Sequence, residues 1–214
     1  MNEMQNMIEL RERVVADMSE KRARHTLAVE QMAARLAALY CPEQEHMLRV
    51  AALLHDVTKE WKTERHAEFM LAHGVPPTAL DLAAPKTLHA KTAALLIPEQ
   101  YPEYATDEVI SAVRYHTTGR EGMTLTEQIV YLADYIDDSR TFPDCVALRE
   151  AFWGANPESM RAEQRKIHLW HVLVQSFDMT ITGILEDGAP VSPDTFCARN
   201  DLVLKLKIEN TTEN

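Results

Sequence analysis

The chain has 214 residues, 46% of them hydrophobic, and a formal charge of −11. That length and apolar content suit one domain, or one with a small appendage, and the acidic balance argues against a sequence-independent nucleic-acid binder, which needs a basic surface. No segment is an uninterrupted apolar span of membrane length, and the N-terminus lacks the basic and apolar regions of a signal peptide, so a cytoplasmic protein without a membrane partner is expected. Cys41, Cys145 and Cys197 are odd in number and far apart, which fits neither a disulfide framework nor a thiolate metal knuckle.

The first predicted helix covers residues 3–17, with Met7, Ile8 and Val14 on one side. Ser19 is an N-cap for a second helix running to about Tyr40, which carries Arg22 and His25 on one face and Met32, Leu36 and Leu39 on the apolar side. A third, from Pro42-Glu43 to about Asp56, leads into Leu53-Leu54-His55-Asp56-Val57-Thr58-Lys59. Here an imidazole and a carboxylate stand where more core is expected, and a buried ionisable pair is costly unless something compensates it. A divalent ion would do so: His55 and Asp56 could serve one ion, with Asp56 free to bridge to a second and Lys59, one turn on from His55, facing a bound anion. Taken alone, the dipeptide also fits a helix C-terminus whose histidine satisfies the last carbonyls while Lys59 complements the dipole.

Beyond Trp61, a helix over about Thr63–His73 ends at Gly74, with His66 and His73 expected on the surface. A helix over Leu82–Ile97, closed by Pro98, places His89 among apolar neighbours. The next, capped by Thr106, ends in Arg114-Tyr115-His116-Thr117-Thr118-Gly119-Arg120, so His116 stands at a helix exit into a polar loop. Thr124-Leu125-Thr126-Glu127 is a capping box for a helix to about Ile136 in which Asp134 is embedded among apolar residues. A segment from Val146 to Trp153 and a long helix from Glu158 to Glu186 come next. The apolar side of the long helix could pack internally or form a homodimer seam, and His168 and His171 suit its polar edges. Ser192-Pro193-Asp194-Thr195 is expected to be a turn and 205–214 a disordered tail. No stretch alternates with period two for long, so the predicted class is all-α.

Singly, His25 and His89 also suit core histidines, and Asp134 a hydrogen-bonded structural acid. Together, His25, His55-Asp56, His89, His116 and Asp134 come from different predicted helices, and helical proteins build metal sites from such inward-facing residues. Four imidazoles and two carboxylates suffice for two ions sharing Asp56.

The order H…HD…H…H…D resembles the HD superfamily of metal-dependent phosphohydrolases. More closely, Ser-Glu-Lys-Arg-Ala-Arg-His25, Leu-Leu-His55-Asp56-Val-Thr-Lys59, Leu-His89-Ala, Arg-Tyr-His116-Thr-Thr-Gly-Arg120, Tyr-Leu-Ala-Asp134-Tyr-Ile and Pro-Asp-Thr195-Phe-Cys-Ala-Arg199-Asn200 resemble its YqeK-like branch, the bacterial symmetrical diadenosine tetraphosphate hydrolases. The resemblance implies an HD helical bundle over 18–204, following the N-terminal helix at 1–17. It also implies a centre of two divalent ions, usually iron, with manganese or cobalt compatible with thiolate-free ligation. His25, His55, Asp56 and Asp134 would hold one ion, and Asp56, His89 and His116 the other. The small-molecule partner would be a dinucleoside polyphosphate, contacted by Arg22, Lys59, Thr117, Thr118, Arg120, Arg140 and Arg199. Asp56, Lys59, Arg22 and Arg120 would be catalytic. One departure is visible: an acidic residue, Pro, Gly and Arg usually follow the last ligand, where this chain has Asp137-Asp138-Ser139-Arg140. The implied reaction is attack by a metal-bridging hydroxide on the central phosphoanhydride, giving two ADP, with the cations stabilising developing charge. Turnover of other nucleotides, or nucleotide sensing without turnover, are the competing readings.

Overall fold

The computed structural model describes residues 3–212; Met1, Asn2, Glu213 and Asn214, at the ends of the predicted N-terminal helix and tail, lie outside the described residues. The all-α class holds: among the described residues there is no strand. The first helices are α1 (Glu3–Ala16), α2 (Glu20–Tyr40), α3 (Glu45–Leu54) and α4 (Thr63–Ala72). Then come α5 (Ala79–Ala83), α6 (Leu88–Gln100), α7 (Asp107–Tyr115) and α8 (Leu125–Ile136). The chain finishes with α9 (Pro143–Gly154), α10 (Ala162–Glu186) and α11 (Pro193–Thr212). None of these helices is long and apolar enough to cross a membrane.

Local chemistry sets the starts. Ser19 accepts the Arg22 N–H at 3.3 Å at the head of α2, and Thr106 accepts the Val109 N–H at 3.3 Å for α7. The predicted capping box of α8 forms: Thr124 accepts the Glu127 N–H at 3.2 Å, and the Glu127 carboxylate accepts the Thr124 N–H at 2.8 Å. Each such cap stabilises its helix by about 1 kcal/mol.

Packing then orders the bundle. Helix α3 is buried on nearly every side and packs against α2, α7 and α8, while α8 buries the run Ile129–Ala133. Helices buried all round belong at the centre of a bundle. Met7, Leu10 and Val14 of α1 join the same core cluster, so the N-terminal helix shares the core.

Three expectations change. The predicted helix over 82–97 divides into α5 and α6, because Ala84, immediately before Pro85, is pushed out of the helical region to φ −123°, ψ 59°. Pro98 does not close α6; it sits in the last turn, which ends with Tyr101 N–H donating to Ile97 O at 2.8 Å. Residues 193–195 of the expected turn and 205–212 of the expected disordered tail instead belong to α11. Pro193 suits a first helical turn, Ala198, Leu202 and Leu206 are buried at four-residue steps, and Lys205 pairs with Asp201 at 2.7 Å. Helix α10 packs internally, burying Leu169, Leu173 and Phe177.

Candidate metal centre

The helices in contact around α3 bring their polar exceptions to one place. His25 comes from α2, His55 and Asp56 from the end of α3, His89 from α6, His116 from the end of α7 and Asp134 from α8. Two of the histidines are aimed by the backbone: His55 Nδ1 donates to Ala52 O at 2.6 Å, and His116 Nδ1 to Val113 O at 2.7 Å. Each ring therefore carries a proton on Nδ1 and aims Nε2, the atom whose lone pair a metal ligand would use, at the interior.

Those lone pairs converge. Ligand atoms of His25, His55 and Asp134 lie within 4.8 Å of one another, as do those of His55, Asp56 and His116. His25 Nε2 is 3.0 Å from Asp134 Oδ1, and His55 Nε2 is 3.3 Å from Asp56 Oδ2. On the other side of the same carboxylate, His89 Nε2 is 3.2 Å from Asp56 Oδ1 and 3.0 Å from His116 Nε2. Asp56 thus stands between two nitrogen clusters, in the position of a bridge.

The charges reflect these neighbours. Burial alone would raise both carboxyls, but His55 and His89 hold Asp56, and Arg140 and His25 hold Asp134, well below the usual carboxylate range. Burial drives His116 well below the ordinary imidazole value and lowers His89 against the pull of Asp56. His25 moves the other way: burial opposes its proton, but the Asp134 and Asp137 carboxylates outweigh it and raise the pKa to about 9.

A supporting layer surrounds the six. Asp137 is fully buried, its Oδ2 3.3 Å from His25 Nδ1, and its Oδ1 accepts the Ser139 N–H at 2.8 Å. The Asp137-Asp138-Ser139-Arg140 turn therefore closes on itself without Pro-Gly. Thr58 donates its hydroxyl to His89 O at 2.9 Å and lies 2.8 Å from the Thr92 hydroxyl, which in turn meets His66 Nδ1 at 2.8 Å. His66, expected on the surface, is only 4% exposed and packs 5.7 Å from the Trp61 ring. Its burial, with His89 close by, lowers its pKa to about 4. Sequence reading missed Asp137 and His66. For the latter the sequence offers only an apolar residue one turn on, Met70, outweighed by Glu64, Arg65 and Glu68.

The expected substrate contacts divide. Arg22 pairs with Asp56, Lys59 Nζ lies 3.1 Å from His89 Nε2, and Arg140 Nε donates to Asp134 O at 3.0 Å, so these three cations meet the cluster. Thr117 Oγ1 is buried without a hydrogen-bond partner, while Thr118 donates to Gly119 O at 3.0 Å. Arg120 is engaged instead with Glu127 at 2.9 Å and Arg199 with Asp178; none of their described contacts reaches the cluster. Arg120 lends its charge to the buried carboxylate that caps α8. The loop itself is held by Gly119, at φ +63°, where a Cβ would stand 2.7 Å from the Phe177 ring and 2.8 Å from Ala198 Cβ.

A cavity of about 450 Å³ opens beside the centre, bounded by Lys21, Arg22, Arg24, His25, Arg140 and Phe142, with no acid in its lining. In a chain of charge −11 this is a locally basic surface. The donors themselves fit divalent metal: His25 Nε2, His55 Nε2 and Asp56 Oδ1 are buried with no hydrogen-bond partner, and unpaired buried polar atoms are rare unless something further satisfies them. Imidazole and carboxylate without thiolate suit a borderline divalent ion.

Comparisons with known proteins agree with that chemistry. The HD domain family model matches residues 22–138. The chain is 30% identical over 190 residues to the symmetrical bis(5'-nucleosyl)-tetraphosphatase of Halalkalibacterium halodurans, covering 89% of this chain and 93% of that one. The Bacillus subtilis protein of the same name is also 30% identical, with 89% and 94% covered. A Clostridium acetobutylicum crystal structure, described as a predicted HD superfamily hydrolase involved in NAD metabolism, superposes with a TM-score of 0.78 at 30% identity, over 92% of this chain and 96% of that one. With the ligand cluster, the basic cavity and these relatives in agreement, the chain belongs to the HD superfamily, in the group that holds the symmetrical bis(5'-nucleosyl)-tetraphosphatases.

Proposed function

We propose that the protein hydrolyses diadenosine tetraphosphate symmetrically, giving two ADP. The observation that carries this reading is the six-residue cluster, one of whose members, His25, lines an acid-free basic cavity, and the relatives' names suggest the substrate. His25, His55, Asp56 and Asp134 would hold one divalent ion and Asp56, His89 and His116 a second. When bound, such ions supply Lewis acidity and make a coordinated water acidic near neutral pH.

The chain's own residues do the rest. Arg22, Lys59 and Arg140 hold the phosphate chain and stabilise the charge that develops as the central linkage breaks. Lys59 is held among the candidate ligands, where burial lowers its pKa and Asp56 and Asp134 offset that only in part. Thr117 offers an unpaired hydroxyl to a phosphate oxygen. Arg120 acts at one remove, fixing Glu127 and the loop that carries His116. Water adds its oxygen to one central phosphorus, the bridging oxygen leaves with the other, and each product keeps two phosphates. No serine or cysteine nucleophile takes part.

Iron is the first choice of metal because the family resemblance implies it; ligation by nitrogen and oxygen only is equally compatible with manganese or cobalt. Free thiols at Cys41, Cys145 and Cys197 suit the reducing cytoplasm. The test is to incubate metal-replete protein with diadenosine tetraphosphate, with and without chelator, and to resolve the nucleotides by chromatography. ADP as sole product, lost with chelator, is expected. AMP with ATP would refute the cleavage position, and turnover confined to mononucleotides or NAD would move the substrate.

A further inference from the structure

Phe142 is 65% exposed and stands at the N-cap of α9. A phenylalanine there caps nothing: it makes no cap hydrogen bond, at a position where Ser, Thr, Asp and Asn are preferred. Nor does it serve the core, since it lies outside the buried cluster, and its ring stacks on no other described side chain. Pro143, at the first helical position, fixes the backbone beside it. Yet this residue lines the same cavity as Arg22, His25 and Arg140. The cavity therefore has a cationic end at the ligand cluster and an exposed aromatic face on its wall. Its volume of about 450 Å³ is within the roughly 300–1,000 Å³ of small-molecule sites.

We propose that Phe142 is the stacking platform for one nucleobase of the bound nucleotide, whose phosphates lie toward Arg22 and Arg140. This deepens, and rests on, the nucleotide-hydrolase reading above. Every base has a flat π-face, so stacking contributes affinity with little regard to base identity, about tenfold or more per base. Phe142 would thus favour nucleoside-bearing polyphosphates over bare polyphosphate. The cationic end alone makes no such distinction.

The test uses the metal-loaded full chain. KM and kcat for diadenosine tetraphosphate, and inhibition by inorganic tripolyphosphate, are compared among wild type, Phe142→Ala and Phe142→Trp. Phe196→Ala, at an exposed position on α11, is the control. Phe142→Ala should raise KM about tenfold, with the loss falling on KM rather than kcat and tripolyphosphate inhibition unmoved. Phe142→Trp should keep the low KM and add emission, over the three native tryptophans, that ADP quenches and tripolyphosphate does not. A Phe142→Ala KM within about twofold of wild type, or added emission unmoved while ADP binds, would overturn the platform. If wild type cleaves no dinucleoside tetraphosphate, the hydrolase reading fails by itself. The ADP titration of Phe142→Trp then decides the platform separately: quenching retains it, and no response overturns it.

Discussion

Two acids lie almost equally deep in this molecule and are treated in opposite ways. Glu30 is 2% exposed and Asp56 3%. Around Glu30 every charge is answered: Arg11 forks onto both oxygens at 2.8 and 2.6 Å, and Arg49 adds a bond at 2.9 Å. Asp56 faces one guanidinium and four imidazoles but retains an oxygen with no hydrogen-bond partner. A buried acid that is fully paired is part of the architecture, whereas one ringed by lone pairs leaves room for a cation the chain does not supply. Burial depth alone does not separate the two; the state of the neighbouring donors does.

The largest effect expected is at the second acid. Asp56→Ala should abolish metal retention, read by elemental analysis. It should also lower hydrolysis by more than the roughly 100-fold typical of losing an outer-shell partner. Retained metal and activity would remove Asp56 from the centre. Chelation should next separate the variants by stability. An ion present at 100 times its Kd stabilises by about 2.7 kcal/mol, so stripping wild type should lower Tm by about 5–10 °C, while Asp56→Ala should show no shift.

Glu30→Ala sharpens the contrast from the other side. Removing one partner of a buried pair costs about 3–5 kcal/mol when the remaining charge is trapped. Arg11 and Arg49 are partly exposed and able to turn to water, so about 2 kcal/mol is expected in urea denaturation, with hydrolysis by the folded fraction retained. A loss of metal instead would merge the two regions.

The smallest effect lies at Asp81, another paired acid. It completes a capping box with Thr78 and an ion pair with Lys91. Burial would raise its carboxyl, but Lys91 and Thr78 outweigh burial and lower it below 3.8. A depressed folded pKa gives stability that is fully present above the unfolded value and is lost as pH falls through the folded one. Asp81→Ala should therefore cost about 1 kcal/mol at pH 7. That difference should fade below the ordinary aspartate range in acid titrations followed by circular dichroism.

The convergence of the six candidate ligands was legible in part because His55, Asp56, His89 and Asp134 interrupt apolar helical runs, where a hydrogen-bonding residue needs an explanation; His25 and His116 stand at polar helix ends and joined them only through the motif order. His66 was not legible, because Glu64, Arg65 and Glu68 beside it read as a solvated face, and only packing against Trp61 and Thr92 buries it. Arg120 and Arg199 show the converse limit. A sequence places an arginine near a site, but whether it faces the ligand or a neighbouring carboxylate is decided by tertiary partners, here Glu127 and Asp178. The helix through Thr212 was visible in principle from the four-residue steps of Ala198, Leu202 and Leu206, and was obscured by the polar residues around them.

Gly119 links the family-defining part of the chain to the helices beyond it. The HD match ends at 138, yet the turn after His116 rests against Phe177 and Ala198, with no room for a methyl group between them. The C-terminal helices are thus a mould against which the turn is cast. In a lineage of such proteins, these three positions would be inherited as a unit: a larger side chain at 198 would demand a compensating change at 177 before the turn could keep its shape. Grafting the HD segment onto a different C-terminal half would carry the ligands across but leave His116 on an unsupported turn.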